Sequence, residues 1–133
     1  LKDLRDWADW WGSPFSFPKQ FPLRSVLPLR ISIAAPNATE ALYTAFWAEG
    51  RDISSEDVVS EILLSLGVDP GEVLAAAGSK EIKEQLFENT SHAIASGVFG
   101  VPSFRLGERL WWGQDRLLEL CEAVIQSGAG GPP

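Results

Sequence analysis

The chain has 133 residues, 45% apolar and 22% charged, which suits one domain with an inserted lobe and excludes a disordered polypeptide. Its formal net charge of −7, with no Lys/Arg cluster, argues against a nucleic-acid partner, because the chain as a whole repels phosphates. A single cysteine excludes an internal disulfide and a CxxC pair within the chain, and no apolar run reaches the roughly 20 residues that span a bilayer.

Leu1 to Trp11 has a helical pattern, with Leu4, Trp7, Ala8 and Trp11 on one apolar face. Gly12-Ser13-Pro14 stops it, and the Pro- and Phe-rich stretch Pro14 to Pro22 predicts an extended loop whose phenylalanines pin it to the helices. Ser25 to Ala35 reads as a short helix that carries Pro28 in its first turn. Asn37 is the expected cap of a helix running to about Glu49, with Gly50 as its stop. Ser54 or Ser55 opens the next, through Val58, Ile62, Leu63 and Leu66. Asp69-Pro70 opens another, closed by Gly78-Ser79, and Ser79 caps a longer helix to about Ala95.

The pattern changes at Gly97. A Gly-punctuated apolar loop to Pro102 leads into two short strands, Ser103 to Leu106 and Arg109 to Trp112, joined by a tight turn at Gly107-Glu108. Gln114 to Gln126 is a final amphipathic helix. The expected organisation is a helical insertion lobe over 1–96, the loop-hairpin-helix unit over 97–127 and a flexible Gly/Pro-rich tail over 128–133. A two-stranded hairpin is marginal alone. With no Met and a helical opening at Leu1, that points to a chain whose strand-bearing segment lies upstream.

Chemistry concentrates in two blocks, Gly97-Val98-Phe99-Gly100-Val101-Pro102-Ser103-Phe104 and Trp112-Gly113-Gln114-Asp115-Arg116. A cis proline at a strand start would turn the backbone of Val101 outward to pair with an extended peptide, as an added strand does. The start of the last helix offers free N–H groups for a carboxylate, and Asp115 a partner for an ammonium group. Glutathione has both an extended amide and an α-amino acid end.

These blocks, with Asp6-Trp7-Ala8, Phe17-Pro18, Ala45-Phe46-Trp47 and Asn89-Thr90, resemble the kappa-class glutathione transferases and 2-hydroxychromene-2-carboxylate isomerases of the DsbA-like thioredoxin superfamily. The resemblance implies an α/β, thioredoxin-like fold with a helical insertion, here without its first strand-helix-strand unit and so mostly α with one β-hairpin. It implies glutathione as cofactor, with Val101 and Pro102 against its cysteinyl part and Gln114 and Asp115 at its γ-glutamyl end. The family's activating serine, and an asparagine and a lysine of its site, fall before Leu1. No catalytic residue is therefore assigned within the chain, and the chain alone is expected to be inactive. The resemblance also implies a small aromatic substrate, a homodimer and a cytoplasmic enzyme (organellar in a eukaryote).

A DsbA-like thiol-disulfide oxidoreductase, which needs an upstream CxxC, and a non-catalytic interaction domain are the alternatives. No metal is expected, since His92 lacks companion ligands and reads as an ordinary helix residue. Cys121 reads as a buried small hydrophobe, Trp7, Trp10 and Trp11 as core, and Asp52, Glu56 and Asp57 as helix-start charges.

Overall fold

The computed structural model describes residues 2–128. It divides into two compact units, Leu1–Phe87 and Glu88–Pro133. The described elements are α1 (Lys2–Trp11), α2 (Val26–Ala34), α3 (Thr39–Trp47), α4 (Glu56–Ser65), α5 (Pro70–Gly78), α6 (Lys80–Ala95), β1 (Ser103–Leu106), β2 (Arg109–Trp112) and α7 (Leu117–Ser127), with short 3-10 turns at Pro36–Ala38 and Gln114–Arg116. The assigned tail, apart from Gly128, lies outside the described residues. Gly128 itself closes α7 at φ +67°.

The first unit is a helical lobe. Its core joins Ile31, Leu42, Phe46, Val59, Ile62, Leu63 and Val73, drawn from α2 to α5. Ile31, Val59 and Leu63 are fully enclosed. Asp69 accepts the Gly71 N–H at 2.7 Å while Pro70 fills the first helical position, so α5 begins where its cap and its missing donor both fit. Ser79 Oγ likewise accepts the Ile82 N–H at 3.2 Å.

The Pro/Phe-rich loop closes over α3. Phe15 stacks on Trp47 at 6.3 Å, Phe17 meets it edge-on at 6.5 Å, and the Ser16 N–H donates to the Trp47 carbonyl at 2.7 Å. The peptide bond before Pro22 is cis, as is the one before Pro102.

Three local expectations are corrected here. Asn37 does not cap a helix. It sits inside a 3-10 turn that opens with Pro36, whose carbonyl accepts the Thr39 N–H, so α3 starts one residue later, with Ala38 at its N-cap position. α3 also ends at Trp47: Ala48 caps it, still in αR and donating to the Thr44 carbonyl, and the chain turns at Gly50, φ +69°. Trp7, Trp10 and Trp11 are not core. α1 buries none of its residues, and these three side chains stand largely exposed.

In the second unit, β1 and β2 pair antiparallel with Ser103 opposite Trp112 and Leu106 opposite Arg109. The two-residue turn works because Gly107 takes φ +59°. Arg105 fastens that turn, donating from Nε to the Gly107 carbonyl at 2.8 Å and from Nη1 to Ser96 Oγ at 3.2 Å. Trp111 and Ala123 are buried, with the Arg109 guanidinium 4.5 Å above the Trp111 ring. Cys121 is exposed, which corrects the buried reading. α7 carries two apolar stripes. One runs through Leu120, Ala123 and Val124 and is wholly or partly covered; Cys121 lies on the other, with the exposed Leu118 and Ile125.

Candidate functional site

The hairpin ladder continues one step past its strands. Beyond the Ser103–Trp112 pair, the Gly113 N–H donates to the Pro102 carbonyl at 2.9 Å. This bond ties the cis-proline loop to the turn that opens with Gln114, so the two sequence blocks become one surface. Proline has no N–H to give the ladder, and its carbonyl serves instead.

Val101 is 87% exposed, and among the described residues neither its N–H nor its C=O has a hydrogen-bond partner. The loop is held by its own side chains. Ser103 Oγ donates to the Gly100 carbonyl at 2.6 Å. Phe99 and Trp112 pack at 5.2 Å. A Cβ on Gly100 would lie 2.5 Å from the Trp112 Nε1, so glycine is what lets the indole lie against the backbone. The result is an outward-facing donor and acceptor on a braced loop, the form that receives an extended peptide as an added strand.

The other half differs in detail from a simple helix start. Gln114–Arg116 is a 3-10 turn that precedes α7, and Gly113 stands at its N-cap position with φ +99°. Asp115 is not a capping residue: no side chain caps the turn or α7. Its Oδ1 folds back against Gly113, where an added Cβ would meet it. Gln114 and Asp115 are exposed, and their amide N–H groups have no partner among the described residues. Arg116 sits beside them, with Nη1 2.7 Å from Glu119 Oε1 and Nε 3.8 Å from Asp115 Oδ2. The Glu119 hydrogen bond and charge, then the Asp115 charge, hold the guanidinium pKa above its ordinary value. Arg116 therefore offsets local acidity while the outer face of the turn keeps its donors.

All four assigned residues, Val101, Pro102, Gln114 and Asp115, are exposed, and the Gly113–Pro102 bond ties their two segments together. Sequence reading missed the Gly113–Pro102 bond and the Phe99–Trp112 brace; Gly100 and Gly113 were their only local signals. His92 is exposed on α6, and no metal-ligand cluster forms among the described residues. No described helix is long and apolar enough to cross a membrane. In the first unit, α2 and α3 frame a separate apolar cavity of about 160 Å³, walled in part by Leu29, Leu42, Tyr43, Phe46 and Trp47.

Residues 1–124 match the family model of the DSBA-like thioredoxin domain. The chain belongs to this family. Among curated proteins it is 30% identical to glutathione S-transferase kappa 2 of Caenorhabditis elegans, over 97% of this chain and 66% of that one. It is 32% identical to a 2-hydroxychromene-2-carboxylate isomerase of Pseudomonas putida, over 92% of this chain and 62% of that one. A solved structure of 2-hydroxychromene-2-carboxylate isomerase superposes with a TM-score of 0.77 at 29% identity, covering 97% of this chain and 68% of that one. The DsbA of Pseudomonas aeruginosa, at 19% identity, TM-score 0.66, and coverage of 85% of this chain and 65% of that one, shares the fold. The chain spans somewhat under two thirds to about two thirds of the length of these curated relatives. The fold is thioredoxin-like of the DsbA type, mostly helical, with a two-stranded antiparallel sheet among the described residues. The relatives bear the names of enzymes, isomerases and a glutathione transferase.

Proposed function

We propose that the protein is a glutathione-dependent isomerase or transferase acting on a small aromatic substrate, and that this chain supplies the surface that holds the tripeptide. The observation that carries the reading is the Gly113–Pro102 hydrogen bond, which sets the unpaired Val101 backbone beside the donors of Gln114 and Asp115. Val101 N–H and C=O pair with the cysteinyl residue of glutathione. The amides of Gln114 and Asp115 take the γ-glutamyl carboxylate, and the Asp115 carboxylate takes its ammonium group. The relative named glutathione S-transferase kappa supports the choice of ligand. The relatives named isomerases support an isomerisation; in our reading the thiolate adds to the substrate, permits rotation about a double bond and leaves.

The chain binds but does not activate. A thiolate needs a donated hydrogen bond or nearby positive charge. The Ser103 hydroxyl already donates its hydrogen bond to the Gly100 carbonyl, and Arg116 is paired with Glu119 and Asp115. Neither group is therefore free to stabilise a bound thiolate, and the chain alone is expected to turn over no substrate. By family analogy the working enzyme is a homodimer in a reducing compartment.

Calorimetric titration with glutathione tests the reading. Weak binding is expected, because the thiol end has no partners in this chain, and Asp115→Ala is expected to weaken it a further roughly tenfold, the worth of a charge-assisted hydrogen bond. A folded chain whose glutathione affinity is identical in the variant would refute the assignment of the γ-glutamyl end.

A further inference from the structure

In the first unit, a second cavity of about 300 Å³ lies where α2, α5 and the start of α4 meet. Arg24 and Arg30 stand on its wall with Ser54 and Glu56, and Val26, Leu27, Leu74 and Ala77 supply its apolar side. The Arg30 Nε is buried and has no hydrogen-bond partner. Neither Arg24 nor Arg30 is in an ion pair among the described residues, whereas Arg51, Arg105 and Arg116 all are. A guanidinium left with a buried, unpaired donor is costly in a folded protein. Such a group keeps its place most readily where an anion completes it.

From this we infer an anion-binding site, independent of the glutathione surface, for a small carboxylate whose body is apolar. Two arginines face one carboxylate on the cavity wall, Glu56, so the local balance is positive in a chain whose net charge is −7. Overall repulsion makes such a site selective for ligands that gain from direct contact with the guanidinium groups rather than from long-range attraction. Ser54 adds no donor, since its hydroxyl and its amide both donate to Asp52 Oδ1, at 2.6 and 3.0 Å. The charge of the ligand is thus met by arginine alone. The four apolar side chains reward burial of a hydrocarbon portion, and the volume stands at the lower end for small-ligand sites, which excludes a large one.

Octanoate is the probe, with octan-1-ol as its neutral counterpart, titrated into the full chain and followed by calorimetry and by amide chemical shifts of α2 and α5. Octanoate is expected to bind and shift these amides, octanol to bind at least tenfold more weakly, and Arg30→Gln and Arg24→Gln each to weaken octanoate about tenfold. Should Arg30→Gln fail to fold, the exposed Arg24→Gln carries the test alone. Equal binding of acid and alcohol, or octanoate affinity unchanged in a folded variant, would overturn the site. So would the absence of any octanoate binding.

Discussion

The Gly113 N–H donates to the Pro102 carbonyl at 2.9 Å, and through that one bond the cis-proline loop and the Gln114 turn share a frame. The bond depends on a backbone that only glycine adopts readily, φ +99° at Gly113. Gly113→Ala is expected to destabilise the chain by about 1–3 kcal/mol, since a Cβ there also meets Asp115 Oδ1. Amide hydrogen exchange at residue 113 checks it, because a broken bond to Pro102 removes the protection.

At Gly100 the conflict is with a ring. An added Cβ would stand 2.5 Å from Trp112 Nε1. Trp112 is about half exposed and can swing outward, so Gly100→Ala is expected to cost stability modestly, about 1 kcal/mol, while it separates Trp112 from Phe99. The two ring systems' mutual proton shifts would disappear from the NMR spectrum. Their persistence would show that the loop, not the indole, had moved.

Leu63 is fully enclosed at the centre of the helical lobe. Leu63→Ala is expected to cost about 2–5 kcal/mol, as the cavity left behind adds to the lost burial. Urea denaturation measures it. A loss below 1 kcal/mol would mean that the lobe collapses into the space.

Asp69 holds the first turn of α5 by one side-chain bond to the Gly71 amide. Asp69→Ala is expected to lose about 1 kcal/mol and Asp69→Asn much less, because the acceptor oxygen survives in the amide. Thermal melts of both variants, compared with the parent, distinguish capping from charge.

Cys121 stands in solvent. Iodoacetamide is expected to alkylate it in the folded chain at the rate of an open thiol, and Cys121→Ser to change stability by less than about 0.5 kcal/mol. Protection of the thiol until denaturant is added would contradict its exposure.

Much of this architecture was legible in the residues. The hairpin ends where alternation ends, at Leu106 and Arg109, because period-2 patterning and a glycine at the turn agree. The Asp69-Pro70 start was equally plain, as cap and fixed φ coincide. Asn37 misled because a preceding proline can wind a 3-10 turn before the helix, and the cap then arrives too early. Cys121 and the α1 tryptophans misled for another reason. Apolar periodicity marks a face that can be covered, and α7 has two such stripes. Nothing in the order of residues states which stripe meets a neighbour. The bond between Gly113 and Pro102 pairs two backbones, and its one trace in the sequence is the glycine that takes φ +99°.

The indole rings divide by environment. Trp7, Trp10, Trp11 and Trp112 face water, while Trp111 alone among the hairpin rings is enclosed. The emission of the chain is therefore dominated by wet fluorophores and lies toward long wavelength. Whatever settles on α1 or on the Trp112 face announces itself by a shift to the blue, with no label added.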